Sequence, residues 1–86
     1  MVGRASYFDV AQGEAMMEKK GFAKAIVDAE NDKILGFHVI GPYAPILIQE
    51  VTNAMASGGG INQIGRGMHI HPSISELIPR VFAEVG

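Results

Sequence analysis

The sequence predicts an α+β fold in which an antiparallel sheet, built around one central hairpin, packs against two or three helices. Two runs of apolar and β-branched residues, 22–29 and 33–40, are separated by the turn-forming stretch Glu30-Asn31-Asp32. Further along the chain, apolar residues recur at helical spacing in residues 46–57 and 73–85. The apolar faces of these two helices are expected to cover the sheet.

The N-terminal part of the chain supplies a further strand and a short helix. Residues 3–10 alternate loosely and contain two aromatic side chains, which favours a strand. Residues 11–20 are compatible with a short helix that has Met16 and Met17 on its apolar side. These two methionines, together with Met55, are expected to fill the core. Gly21 then ends this segment.

The hairpin over residues 22–40 follows from local chemistry. Asn and Asp tolerate turn conformations and bond their own backbone, so the stretch between the two runs is expected to reverse the chain. The alternation of residue types divides the first strand into two faces. One face carries Phe22, Lys24, Ile26 and Asp28, and the other carries Ala23, Ala25, Val27 and Ala29.

A first amphipathic helix is expected over residues 46–57. The turn at 41–45 precedes it, with Pro45 suited to a first helical turn, and the glycines at 58–60 end it. Its buried stripe is predicted to contain Leu47, Val51, Ala54 and Met55, widened by Ile48, with Gln49, Glu50 and Asn53 facing outwards.

Residues 61–67 are predicted to be a short connector with Ile61 and Ile64 directed inwards, and the last helix is expected over residues 73–85. Pro79 lies inside that helix, where proline removes a hydrogen bond and clashes with the preceding turn at a cost of about 3 kcal/mol. A kink or break is therefore expected between residues 75 and 79. The apolar face consists of Ile74, Leu77, Ile78, Val81, Phe82 and Val85.

Composition restricts the class of protein. The 86 residues form one domain, and 48% hydrophobic against 19% charged residues leaves apolar surface for a partner subunit or a neighbouring domain. A net charge of -2 gives no basic footprint for nucleic acid, and the absence of cysteine excludes a disulfide scaffold. No secretion signal or membrane-length apolar run is visible, so a cytoplasmic protein without a nucleic-acid or membrane partner is expected.

Residues 68–76 concentrate the side chains that can perform chemistry. His71 is a candidate base because imidazole takes and gives protons near neutral pH. A carboxylate such as Glu76 can fix the tautomer of an imidazole and stabilise the imidazolium. Pro72 favours extended backbone at His71 and makes a cis bond accessible.

This stretch resembles the end of the pyridine nucleotide-disulfide oxidoreductases, and within them the dihydrolipoamide dehydrogenases most closely. The family signature is His-x-His-Pro-Thr-x-Ser-Glu, and residues 69–76 are His-Ile-His-Pro-Ser-Ile-Ser-Glu. Residues 21–24 and 32–42 are similar to the central hairpin of the family, so the likeness covers most of the chain. The family's dimerisation domain begins with a further strand and helix that are not found here, so an N-terminally truncated dimerisation domain is expected.

The resemblance implies a role shared between subunits. The chain would form a homodimer and adjoin the FAD- and NAD-binding domains of the same enzyme, which acts on a dithiol/disulfide substrate with NAD(P). His71 and Glu76 are the implied catalytic pair, with His71 reaching the redox disulfide of the partner subunit. The main chain at His71 and Pro72 is implied to contact the partner's FAD, and His69 to be a backbone element near it. The chain alone is expected to bind no cofactor and to be inactive.

Other interpretations of these residues stay open. Glu76 with Ser73 also forms a capping-box sequence, which competes for the same carboxylate. His69 and His71, with His38 or Glu76, have a spacing that suits zinc, although the lack of cysteine disfavours a metal site. The glycines at 58–60 and 65–67 do not fit a nucleotide-binding loop. The alternative function is a free-standing interaction module that keeps the fold without catalysis.

Overall fold

The computed structural model describes residues 1–17 and 19–85 and confirms the α+β fold. An antiparallel sheet has the strand order β1-β2-β3, with β1 at Val2–Ser6, β2 at Phe22–Val27 and β3 at Ile34–Ile40. The helices of the described residues are α1 at Ala11–Ala15, α2 at Ala44–Ala56, α3 at Ile61–Arg66 and α4 at Leu77–Ala83. None of these helices is long and apolar enough to cross a membrane.

The predicted hairpin and the two faces of its first strand are confirmed up to Val27, whereas Ala29, predicted on the same face as Val27, lies exposed in the turn. Ala23, Ala25 and Val27 are buried, whereas the opposite face of β2 is only partly covered. The register of β2 against β3 shifts near Val27, and as a result Ile34 and Phe37, three residues apart, are both buried. Such a shift is the usual effect of a bulge on strand alternation.

The first strand ends earlier than residue 10, so that part of the prediction is wrong. The Ser6 amide donates to Asp9 Oδ2 at 2.9 Å, and the Phe8 amide donates to Ser6 Oγ at 3.2 Å. This reciprocal capping starts a 3-10 turn over Tyr7–Asp9. The side chain of Ser6 therefore bonds the backbone locally instead of letting the strand continue.

The helix predicted over residues 11–20 is much shorter, and Glu18 of that range lies outside the described residues. Met16 and Met17 are 39% and 71% exposed, so their prediction as core residues is wrong. They follow the end of α1, and Met17 has a φ of 56°, a left-handed conformation through which an α-helix cannot continue. Met55 is also exposed, because α2 buries the narrower stripe Leu47, Val51 and Ala54.

Tyr7 occupies the centre of the N-terminal half. Its ring is fully buried, and its hydroxyl donates to the Pro42 carbonyl at 2.7 Å. A Cβ atom at Gly21 or Gly41 would approach ring atoms of Tyr7 to 2.7 or 2.6 Å, respectively. The ring therefore fits only because both neighbours lack a side chain, and it joins the end of β1 to the loop before α2.

Most of the connector predicted over residues 61–67 is helical, since α3 spans Ile61–Arg66. Gly60 precedes the helix, and the Ile61 amide donates to the Asp32 carbonyl at 3.1 Å, which ties its start to the hairpin turn. Ile64 is buried and Ile61 packs against the core, as expected. These two residues are three apart and share one helical face, so burying them against the core favours the helix despite Gly65.

The break predicted near Pro79 is confirmed. A 3-10 turn over Ile74–Glu76 precedes α4, so residues 73–85 are not one continuous α-helix. The predicted apolar face is buried except for Val85, which follows the end of α4 and is partly buried, and the rings of Phe82 and Phe37 stack with their centroids 5.6 Å apart. Helix α4 thereby covers the sheet and holds the end of the 68–76 stretch in place.

Gly65 offers a test of the helical assignment of α3. A Cβ atom at this exposed position would meet nothing within 4 Å. Gly65→Ala should therefore raise the free energy of unfolding by about 0.5–1 kcal/mol, because alanine is the better helix former and reduces the entropy of the unfolded chain. Urea denaturation followed by circular dichroism measures this change. A loss of stability would show that this segment is not helical.

Candidate functional site

The 68–76 stretch connects α3 to α4 in the chain and lies largely on the surface. Met68, Ile70, His71 and Pro72 are exposed, and the His71–Pro72 peptide bond is cis. The 3-10 turn over Ile74–Glu76 follows directly and leads into α4. The candidate side chains therefore lie in an exposed segment, and α4 fixes the C-terminal end of that segment.

His71 and Glu76 are brought together. His71 Nδ1 lies 2.8 Å from Glu76 Oε1 and 3.0 Å from Oε2. Because an ionised carboxylate only accepts hydrogen bonds, Nδ1 is the donor in this contact, and a neutral ring then keeps its lone pair on Nε2. The His71 side chain is 70% exposed, and Nε2 makes no hydrogen bond to any described residue. The arrangement presents an oriented base to an external proton donor.

Glu76 makes both of the contacts that were expected to compete for its carboxylate, one with the start of the 3-10 turn and one with the His71 ring. The Ser73 amide donates to Glu76 Oε1 at 3.1 Å, while both carboxylate oxygens face the ring of His71. The Ser73 hydroxyl donates to the Ile70 carbonyl at 2.6 Å and is hydrogen-bonded to the Ser75 hydroxyl. One carboxylate therefore closes the start of the 3-10 turn and holds the imidazole.

His69 has a side-chain partner that the sequence did not indicate. Its Nε2 lies 2.7 Å from Glu50 Oε2, with the two side chains 12% and 34% exposed. Glu50 was predicted to face outwards on α2, and it turns instead towards the 68–76 stretch. Nineteen residues and a helix separate the pair in the chain, so no local pattern could have linked them.

The histidines do not converge on a metal site. His69 and His71 bond two different carboxylates, and His38 lies exposed on β3. Within residues 1–17 and 19–85, no group of three or more His, Cys, Asp or Glu side chains is placed to hold a metal ion.

An apolar cleft adjoins the His71–Pro72 bond. The cleft has a volume of about 450 Å³, and its lining includes Pro72, Ser73, Tyr43 and Ile46. Tyr43 and Ile46, at the start of α2, are strongly exposed. Exposed apolar side chains rimmed by polar groups are typical of a surface that another protein covers.

Comparison with known proteins places these features in a family. A family model described as "Pyridine nucleotide-disulphide oxidoreductase, dimerisation domain" matches residues 1–81. The chain is 39% identical over 75 residues to the mitochondrial dihydrolipoyl dehydrogenase of Schizosaccharomyces pombe, covering 87% of this chain and 15% of that protein. It is 40% identical over 76 residues to dihydrolipoyl dehydrogenase of Corynebacterium glutamicum, covering 86% of this chain and 16% of that protein. Chloroplastic dihydrolipoyl dehydrogenase 2 of Arabidopsis thaliana is 36% identical over 81 residues, which is 94% of this chain and 14% of that protein.

Proposed function

The chain belongs to the dimerisation-domain family of the pyridine nucleotide-disulphide oxidoreductases, and we propose that it pairs with a second copy and presents His71 to a redox disulfide in the partner subunit. The chain spans about 15% of the length of its dihydrolipoyl dehydrogenase relatives. The remaining length of the parent enzyme would hold FAD and NAD(P). The observation that carries the proposal is His71, held by Glu76 at Nδ1 with Nε2 open to solvent.

The proposed chemistry is proton transfer to and from a thiol. The chain contains no cysteine, so the reacting sulfurs belong to another domain and to the substrate. Nε2 of His71 takes the proton from the substrate dithiol, and the thiolate that forms is the species that attacks a disulfide. Glu76 stabilises the imidazolium through Nδ1 and keeps the ring aligned for returning the proton.

The exposed segment also suits contact with a cofactor held elsewhere. His71 and Pro72 are both exposed, so their main chain is accessible to a flat ring carried by another subunit. When bound in the parent enzyme, FAD would accept the electron pair of the dithiol and pass it to NAD(P). This chain would contribute the shape of its surface and the proton acceptor.

Association with a second copy is supported by the apolar surface beside the site. Tyr43 and Ile46, which line the cleft beside Pro72, are each more than half exposed, which is costly for an isolated domain of this size. A stable interface usually buries about 800 Å² on each partner, with apolar side chains at its centre. The cleft beside Pro72 and the start of α2 provide such side chains next to His71.

A chimeric enzyme tests the proposal. The matched segment of the S. pombe dihydrolipoyl dehydrogenase would be replaced by the corresponding residues of this chain. Light scattering across a range of protein concentrations should give a dimer, and the chimera should oxidise dihydrolipoamide with NAD. A monomer would contradict the pairing. A dimer that is inactive although FAD is bound would contradict delivery of His71 and favour the interaction module without catalysis.

A further inference from the structure

The segment that carries His71 is joined to helix α2 by one side chain. Met68 and Ile70 point away from the protein, with 94% and 67% exposure, while His69 between them is nearly covered. The His69 ring bonds Glu50 of α2 at 2.7 Å. Among the described residues, this is the only hydrogen bond between residues 67–72 and α2.

His71 therefore lies between two carboxylate contacts. Upstream, Glu50 holds His69, and downstream, Glu76 holds both His71 and the Ser73 amide. The two acidic residues belong to different elements, α2 and the 3-10 turn before α4. Together with the bond from the Ser73 hydroxyl to the Ile70 carbonyl, these two contacts hold the path of the chain around His71.

We propose that Glu50 and His69 form a positioning pair, which keeps the backbone of residues 69–71 where the His71 ring meets Glu76. The pair is better shielded from water than His71 itself, so solvent competes less for its hydrogen bond. Without the pair, the ring of His69 has no partner on α2, and the bonds that still hold the segment are local ones, from the Gly67 amide to the Ile64 carbonyl and from the Ser73 hydroxyl to the Ile70 carbonyl. The His71 ring then leaves Glu76 for part of the time and loses its fixed tautomer.

Nuclear magnetic resonance of the 86-residue chain tests the positioning directly. Long-range ¹H–¹⁵N spectra at about pH 8, where an unperturbed imidazole is neutral, report which ring nitrogen of His71 carries the proton. We expect the Nδ1–H form in the wild type and in Glu50→Gln, which keeps an acceptor for His69. Glu50→Ala should give exchange between the two tautomers.

Two further variants make the result decisive. Gln49→Ala is the matched control, since within residues 1–17 and 19–85 its amide bonds only Asn53 of the same helix, at 2.9 Å, and the His71 signal should not change. His69→Ala removes the same contact while leaving α2 unaltered, so it serves if Glu50→Ala does not fold. A folded Glu50→Ala or His69→Ala chain with an unchanged His71 signal would overturn the proposal.

The catalytic consequence rests on the proposed function and has its own test in the chimera. Glu50→Ala should lower kcat for dihydrolipoamide on the order of tenfold, with KM little changed, because small displacements of a catalytic group have large effects on rate. In a His71→Ala background the same substitution should cause no further loss. A loss of equal size in both backgrounds would mean that Glu50 acts elsewhere and would overturn the proposal.

The two proposals fail in different ways. If His71→Ala leaves the chimera fully active, the proposed function is wrong, and the tautomer of His71 in the isolated chain still decides whether the pair positions the ring. If His71→Ala is inactive while Glu50→Ala and His69→Ala are fully active, the proposed function stands and the positioning role is overturned.

Discussion

Replacing His71 by alanine in the chimeric enzyme should slow the oxidation of dihydrolipoamide by about 10²–10⁴-fold, the usual contribution of a positioned acid–base group. The substitution removes the Nε2 acceptor but leaves Glu76 bonded to the Ser73 amide, so the 3-10 turn and α4 should be intact. Stopped-flow measurement of flavin reduction by the dithiol isolates the affected step. Hydride transfer to NAD should change little.

His38→Ala is the matched control for this experiment. It removes an imidazole of the same size from an exposed position on β3, away from the His71–Glu76 contact. Activity within a factor of about two of the parent chimera is expected, as for surface substitutions away from special features. If both variants lose activity equally, the loss reflects a general effect on folding or assembly, and His71 is not the proton acceptor.

Gly41→Ala should reduce the free energy of unfolding by about 2–5 kcal/mol, because it combines two unfavourable effects. The φ of Gly41 is 148°, which L-residues rarely adopt, and the added Cβ would lie 2.6 Å from Cζ of the buried Tyr7 ring. Small domains have only about 5–15 kcal/mol of stability in total, so the change would be prominent in urea denaturation followed by circular dichroism.

Gly58→Ala separates the two effects. Gly58 also has a positive φ, 74°, but a Cβ atom there would meet nothing within 4 Å. Its substitution should cost only the conformational term, about 1–2 kcal/mol. Equal losses at both positions would show that the Tyr7 ring does not pack closely against Gly41.

The parts of the fold that were predicted correctly depend on neighbours in the sequence. Alternation placed Ala23, Ala25 and Val27 on the buried face, and Pro79 indicated the break before α4, because both signals act within a few residues. The first strand was predicted too long because Ser6 and Asp9 form a capping box whose bonds outweigh the strand pattern. The connector at 61–67 became a helix because tertiary packing of Ile64 decides the conformation of a short, glycine-containing segment.

The contacts of the candidate site likewise divide into one that a local motif predicts and one that depends on tertiary packing. His71 and Glu76 are five residues apart, so a local motif was enough to bring them together. Glu50 and His69 are joined only after α2 and α3 have packed, and no periodicity in the chain reports such a contact. The family signature contains His69 but gives no sign of an acid nineteen residues upstream.

Glu76 bonds both the His71 ring and the Ser73 amide, and this has a consequence for how such domains diverge during evolution. A descendant that no longer acted on a disulfide would still be selected to keep this acid, since losing a helix cap costs about 1 kcal/mol. No comparable pressure would preserve His71, whose ring is largely in solvent and, among the described residues, is hydrogen-bonded to Glu76 alone. Across a set of homologous sequences, the histidine and not the glutamate would therefore identify the members that carry out the proposed proton transfer.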